Sequence, residues 1–166
     1  MSGAVRRGTG PWPSSNVEPE VLRWLLGQLS SVEVEEREGK VYVRLSSNLL
    51  FASGSTAIDP EGKEALVELA QAIQGESGFE VVVEGHTDDV AFSRPSSPRN
   101  NWELSALRAT AVIEVMTENS GLSPVLLTAA GRSEFHPRDP EDRARNRRIE
   151  VVLSPKLDGL YDLLEE

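Results

Sequence analysis

The chain has 166 residues, 39% of them hydrophobic and 27% charged, with a formal net charge of −10 and no cysteine. That size and balance suit one folded domain with some extra at its ends, and they exclude a disordered chain, a disulfide framework and a thiolate metal site. The negative charge opposes sequence-independent binding to nucleic acid or an anionic membrane surface, and the most apolar stretches, 21–26 and 125–130, are far shorter than the roughly 20 residues that span a bilayer.

Residues 1–16 are rich in Gly, Pro and Ser, with Pro11 and Pro13 flanking Trp12, and predict a flexible leader. No apolar run follows Arg6 and Arg7, so this start does not read as a secretory signal, and any export signal or membrane anchor is expected outside the sequence. The segment 17–31 predicts an amphipathic helix, with Asn16 as N-cap and Val21, Leu22, Trp24, Leu25, Leu26 and Leu29 as its apolar residues. Its apolar face needs a partner, either the sheet edge or a dimer interface. Alternation then predicts a hairpin: Val32 and Val34 lead to a Glu38-Gly39 turn and back through Val41, Val43 and Leu45, with Glu33, Glu35, Tyr42 and Arg44 facing the other way.

Asp59-Pro60 opens a helix that carries Leu66, Leu69, Ala70 and Ile73 and closes at Gly75. The β-branched run 79–84 reads as a central strand that delivers the chain into Gly85-His86-Thr87-Asp88-Asp89, and the Ser/Pro/Arg-rich stretch up to Asn100 reads as a loop. The strongest helix is 101–118, with Leu104, Leu107, Ala111, Val112 and Val115 assigned to one face. Two more strands, 126–130 and 148–153, are joined by the polar segment 131–147, and 155–166 predicts a C-terminal amphipathic helix. The expected fold class is α+β, an α/β two-layer sandwich in which helices pack on one face of a mixed sheet.

Spacing argues against catalysis more clearly than it argues for anything else. His86, Asp88 and Asp89 fall short of a metal site, which needs about three or four protein ligands, and the only other histidine is His136. The stretch 54–63 lacks the phosphate-loop spacing, and there is no nucleophile elbow. Neither a metal nor a cofactor is expected. Arg132, Arg138, Arg143, Arg145, Arg147 and Arg148 crowd together, but Glu134, Asp139, Glu141 and Asp142 interleave with them, which again reads against nucleic acid. Asp88, just past a strand, and Arg108, two turns into a helix, could face one cleft, or they could form a surface ion pair worth about 0–1 kcal/mol. Spacing alone favours the surface ion pair.

Resemblance goes further. Gly85-His86-Thr87-Asp88, then Asn101-Trp102-Glu103-Leu104-Ser105-Ala106-Leu107-Arg108-Ala109, then Gly131, Pro137 and Asn146-Arg147-Arg148-Ile149-Glu150 resemble the successive motifs of the OmpA-like peptidoglycan-binding domain. Leu50-Phe51-Ala52-Ser53-Gly54-Ser55 resembles it too, so the likeness runs from about 41 to 153, within a domain read as 32–154. The His-Thr-Asp-Asp turn and Asn-Trp-Glu-Leu-Ser resemble the family's MotB branch, the periplasmic wall-binding part of flagellar stators. Full-length members of that branch carry an N-terminal transmembrane helix, which is not read within these 166 residues.

The resemblance implies a non-catalytic module of the periplasm that holds the diaminopimelate of a peptidoglycan stem peptide. A homodimer and a membrane-anchored stator partner are implied with it. Asp88 and Arg108 match the family's ligand pair, and Thr87, Asp89, Asn101, Asn146 and Arg148 complete the expected site. Asn101 carries either a helix-cap or a ligand-loop role, and Asn146 and Arg148 either a ligand or a structural one. Arg147 and Arg148 lie on opposite sides of a strand, so at most one of them faces the cleft. Trp102 is assigned to core or loop packing in preference to sugar stacking. The alternatives are a wall-binding module of another envelope complex and, in a different class, an enzyme acting on peptidoglycan.

Overall fold

The computed structural model describes residues 19–156 except Ser77 and Asn119, so the leader, the Asn16 cap and all but the first two residues of the helix read at 155–166 lie outside the described residues, and Pro155 ends a strand. Alternation builds the first hairpin as the sequence predicts. Val34 pairs with Val43 and Glu35 with Tyr42 between β1 (Glu33–Arg37) and β2 (Lys40–Ser46), across a two-residue turn with both Glu38 and Gly39 at positive φ. Val41, Val43 and Leu45 are fully buried in the core.

Central β5 (Arg148–Pro155) runs antiparallel to both β2 and β3 (Phe79–His86), and β3 runs parallel to β4 (Leu127–Gly131), giving the order β1-β2-β5-β3-β4. The mixed sheet with helices matches the expected α+β class. Ile149, Val151 and Leu153 of β5 join one core with Leu66, Leu69 and Ile73 of α3 (Pro60–Gln74) and Val112 and Met116 of α4 (Asn101–Glu118). Leu22 and Leu26 of α1 (Pro19–Leu26) enter that core against β1 and β2, so this helix covers the sheet's outer hairpin. No helix among the described residues is long and apolar enough to cross a membrane.

Three short elements are absent from the sequence reading: α2 (Ser47–Leu50), a 3-10 turn (Pro124–Leu126) and α5 (Arg143–Asn146). A single turn shows no period, so hydrophobic spacing cannot reveal it. The face of α4 also differs. Leu107 is exposed, and the buried stripe runs through Asn101, Leu104, Ser105, Arg108, Ala109 and Val112. Three of those side chains are polar because the helix begins over the end of the sheet, where hydrogen bonds replace apolar packing.

Two glycines set that placement. A Cβ on Gly85 would lie 2.1 Å from the Ser105 carbonyl oxygen, and one on Gly131 would lie 2.8 Å from the Ala106 nitrogen. The first turns of α4 therefore rest directly on the ends of β3 and β4, a backbone approach that only glycine permits. The register brings His86 and Ser46 opposite Arg148 and Gly85 opposite Gly131. The Thr87-Asp88 turn, the start of α4, Arg147 and α2 thus gather at one end of the sheet.

Candidate ligand cleft at the end of the sheet

A cavity of about 460 Å³ opens at that end, between the Thr87-Asp88 turn, the stripe Asn101, Leu104 and Arg108 of α4, the segment 51–54 and Arg147. Arg108 is buried, with its guanidinium 4.7 Å from the centre of the Phe51 ring. Its Nε donates to the Ser55 carbonyl (2.9 Å) and its Nη2 to the Ala52 carbonyl (3.3 Å). No carboxylate among the described residues pairs with it, and burial, reinforced by Arg147 and opposed by Asp88, lowers its pKa. Among the described residues this buried cation is held by backbone dipoles and a ring face alone, an arrangement that can accept an anion.

Asp88 contributes the opposite charge to the same cavity. Its Oδ1 accepts from the Val90 N–H (3.0 Å), fixing the turn, and its Oδ2 accepts from Arg147 Nη1 (2.6 Å). The Asp88 side chain is 12% exposed and that of Arg147 36%, so the half-open arginine occupies the carboxylate. The sequence places Asp88 and Arg108 at one cleft, and the structure brings them there without pairing them directly.

The other expected residues divide. Thr87, buried, lines the cavity, and its backbone N–H donates to the Ser133 carbonyl (2.9 Å). Asn101 also lines it, but the cap of α4 is Asn100, whose Oδ1 accepts from Glu103 N (2.9 Å). Asn101, one residue inside the helix, donates instead from Nδ2 to the Val90 carbonyl (3.1 Å), tying down the loop that follows Asp88. Asp89 is exposed and accepts from Arg143 (2.7 Å). Asn146 is buried outside the cavity, where its side chain binds Arg138 N, Asp139 N and the Asp139 carbonyl and so staples the loop before α5.

Arg148 is not brought to the cleft. It projects to the sheet's other face, donating to Glu150 (3.1 Å) and to the His136 carbonyl (2.9 Å), while Arg147 takes the cleft position. The signal for that choice lies in the strand: Ile149, Val151 and Leu153 face the helices, and Arg147 has their parity. Phe51 is a second residue the site reading omitted, although the segment around it was noted.

The sheet's other face carries a buried charge cluster. Glu84, His86 and Glu150 place their polar atoms within 4.8 Å of one another, and Arg44, Arg132 and Arg148 neutralise the carboxylates. His86 Nε2 lies 3.3 Å from Glu84 and 3.8 Å from Glu150, so His86 turns away from Asp88 and Asp89. Both carboxylates already accept from guanidinium groups, and Arg44 is shared with Glu35, so neither is a free ligand for a divalent cation. Burial lowers the His86 pKa despite the Glu84 hydrogen bond; burial acts to raise Glu150, but Arg148 and Arg44 hold it below its usual value.

Both shifts give acid sensitivity. The unfolded chain protonates His86 first as pH falls through about 6.5, and the carboxylate contribution is lost below about 4.5. The melting temperature is expected to fall in two stages on acidification, and His86→Gln is expected to flatten the upper one. A variant that keeps the upper stage would assign it to another group.

A five-stranded mixed sheet with helices and a two-charge cleft at its end defines an OmpA-type domain; residues 50–149 match the OmpA family model, and the chain belongs to that family. Within the family it is homologous to motility protein B, MotB. It is 26% identical to motility protein B of Bacillus subtilis over 148 residues, which is 85% of this chain and 56% of that protein. A MotB-like protein from Desulfovibrio vulgaris superposes with a TM-score of 0.74 at 31% identity, covering 82% of this chain and 91% of that one. The cell wall anchor of the T6SS from Pseudomonas aeruginosa superposes with a TM-score of 0.70 at 30% identity, covering 81% and 97% respectively. The chain spans about half the length of the curated relatives it matches.

Proposed function

We propose that this domain is a non-catalytic peptidoglycan anchor that holds the diaminopimelate of a stem peptide in the cleft, fixing a periplasmic assembly such as a flagellar stator to the wall. The observation that carries this reading is Arg108: a buried guanidinium lining an open cavity, without a carboxylate partner among the described residues, beside an Asp88 whose carboxylate faces the same space. A diaminopimelate side chain ends in a carboxylate and an ammonium on one carbon. Arg108 receives the first and Asp88 the second, each through a charge-assisted hydrogen bond. The ammonium displaces Arg147 from Asp88, and the released Arg147 is then free to meet the ligand carboxylate. Thr87 and Asn101 shape the cavity wall around it.

Attachment to an assembly requires further contacts. We assign these to a homodimer and to a membrane-linked segment outside the part shared with the longer relatives. A second reading, a wall-binding module of another envelope complex, is favoured by the 30% identity to the T6SS anchor and uses the same cleft. Incubation with purified sacculi tests binding against catalysis. Co-sedimentation without release of soluble muropeptides is expected, and release of muropeptides would make the protein an enzyme.

A further inference from the structure

Two large aromatic side chains are left open to solvent at the same end of the sheet. Trp102 is 53% exposed and Phe135 60% exposed, and their ring centres lie 5.4 Å apart at an interplanar angle of 37°. Exposed rings that close together are a marker of a contact surface. The sequence predicts core or loop packing for Trp102; the structure keeps it out of the core and sets its half-exposed ring against Phe135 of the loop after β4.

The patch is held rigidly. Trp102 sits in the first turn of α4, whose neighbouring turns rest on Gly85 and Gly131. Phe135 lies in a loop pinned on both sides of it: the Ser133 carbonyl accepts from Thr87 N (2.9 Å), Ser133 N donates to Ser105 Oγ (3.1 Å), and the His136 carbonyl accepts from Arg148 (2.9 Å). The braced loop presents a phenyl ring that is still 60% open to water, and its contact with Trp102 is worth only about 0.5–1.5 kcal/mol to folding. Its fixed position does lower the entropy lost on binding.

We propose that Trp102 and Phe135 form a platform for the glycan strand of peptidoglycan, a second contact that rests on the stem-peptide reading of the cleft. Continuity decides the occupant. Trp102 directly follows Asn101, and the Phe135 loop hangs from Thr87; both of those residues line the cleft. Diaminopimelate is the third residue of a stem attached to the muramic acid, so a bound stem holds its own sugars within about three residues, or roughly 10 Å. The C–H faces of a pyranose ring stack on aromatic faces. Glu134, a half-buried neighbour of Phe135 in sequence, offers acceptors for hydroxyl and amide groups, and Glu103, next to Trp102, has one oxygen beyond the one that Arg99 Nε binds (2.9 Å).

Calorimetry with two probes, the free stem tripeptide and the same tripeptide on its disaccharide, tests this on the full chain. The disaccharide form is expected to bind about tenfold more tightly. That ratio should fall to near one in Trp102→Ser and in Phe135→Ser, and Trp102→Phe should retain most of it. A ratio of one in the unaltered protein, or a ratio that survives both serine substitutions, overturns the platform. Tripeptide that fails to bind while the disaccharide form binds through Trp102 would remove the stem reading and keep the platform; failure of both probes removes both.

Discussion

Asp88→Asn is expected to abolish co-sedimentation with sacculi while leaving the melting temperature almost unchanged. The substitution keeps an oxygen for the Val90 N–H and loses the charge and the second acceptor, which in the free protein meet only a half-exposed Arg147. In the complex that charge answers an ammonium in a largely buried position. Removing one member of a buried charged pair costs about 2–5 kcal/mol, roughly 30- to 5000-fold in affinity. Arg108→Ala should abolish binding as well, but at a cost in stability, because Arg108 also holds the Ser55 and Ala52 carbonyls. Arg108→Lys separates the two effects: it keeps the charge and loses the planar fork, so it should fold and bind weakly. An Asp88→Asn protein that unfolds, but whose folded fraction still sediments with sacculi, would make Asp88 structural.

The second expected result concerns ligand choice. A stem peptide with lysine in place of diaminopimelate keeps the ammonium for Asp88 and leaves Arg108 without its carboxylate. A hydrogen bond to a charged group is worth about 1.5–3 kcal/mol, so the lysine peptide should bind roughly 10- to 150-fold more weakly. The lower end is favoured, since the cavity is open and water can reach it. Arg147 sharpens the contrast, because either ammonium must displace it from Asp88, but only diaminopimelate supplies a carboxylate to receive it afterwards. Arg147→Met should therefore strengthen the lysine peptide relative to diaminopimelate. Calorimetry with the two free peptides decides this; equal affinities, or tighter binding of the lysine form, would remove Arg108 from the proposed role.

By itself the sequence determined the parts of the fold that repeat with a period. Val41, Val43 and Leu45 alternate into the core of β2, Leu66, Leu69 and Ile73 recur at helical spacing on α3, and Gly85-His86-Thr87-Asp88 sits at a strand end. It also placed Asp88 and Arg108 at one cleft, through motif resemblance and not through spacing. The tertiary structure decided what those charges touch. Asp88 meets Arg147, and Arg108 meets two backbone carbonyls and a ring face. These partners lie dozens of residues apart in the chain, and hydrophobic period carries no information about which charged groups will meet. The exposure of Trp102 was decided in the same way, by the close seating of α4 on Gly85 and Gly131, which directs one face of its first turn into the core and leaves the indole outside.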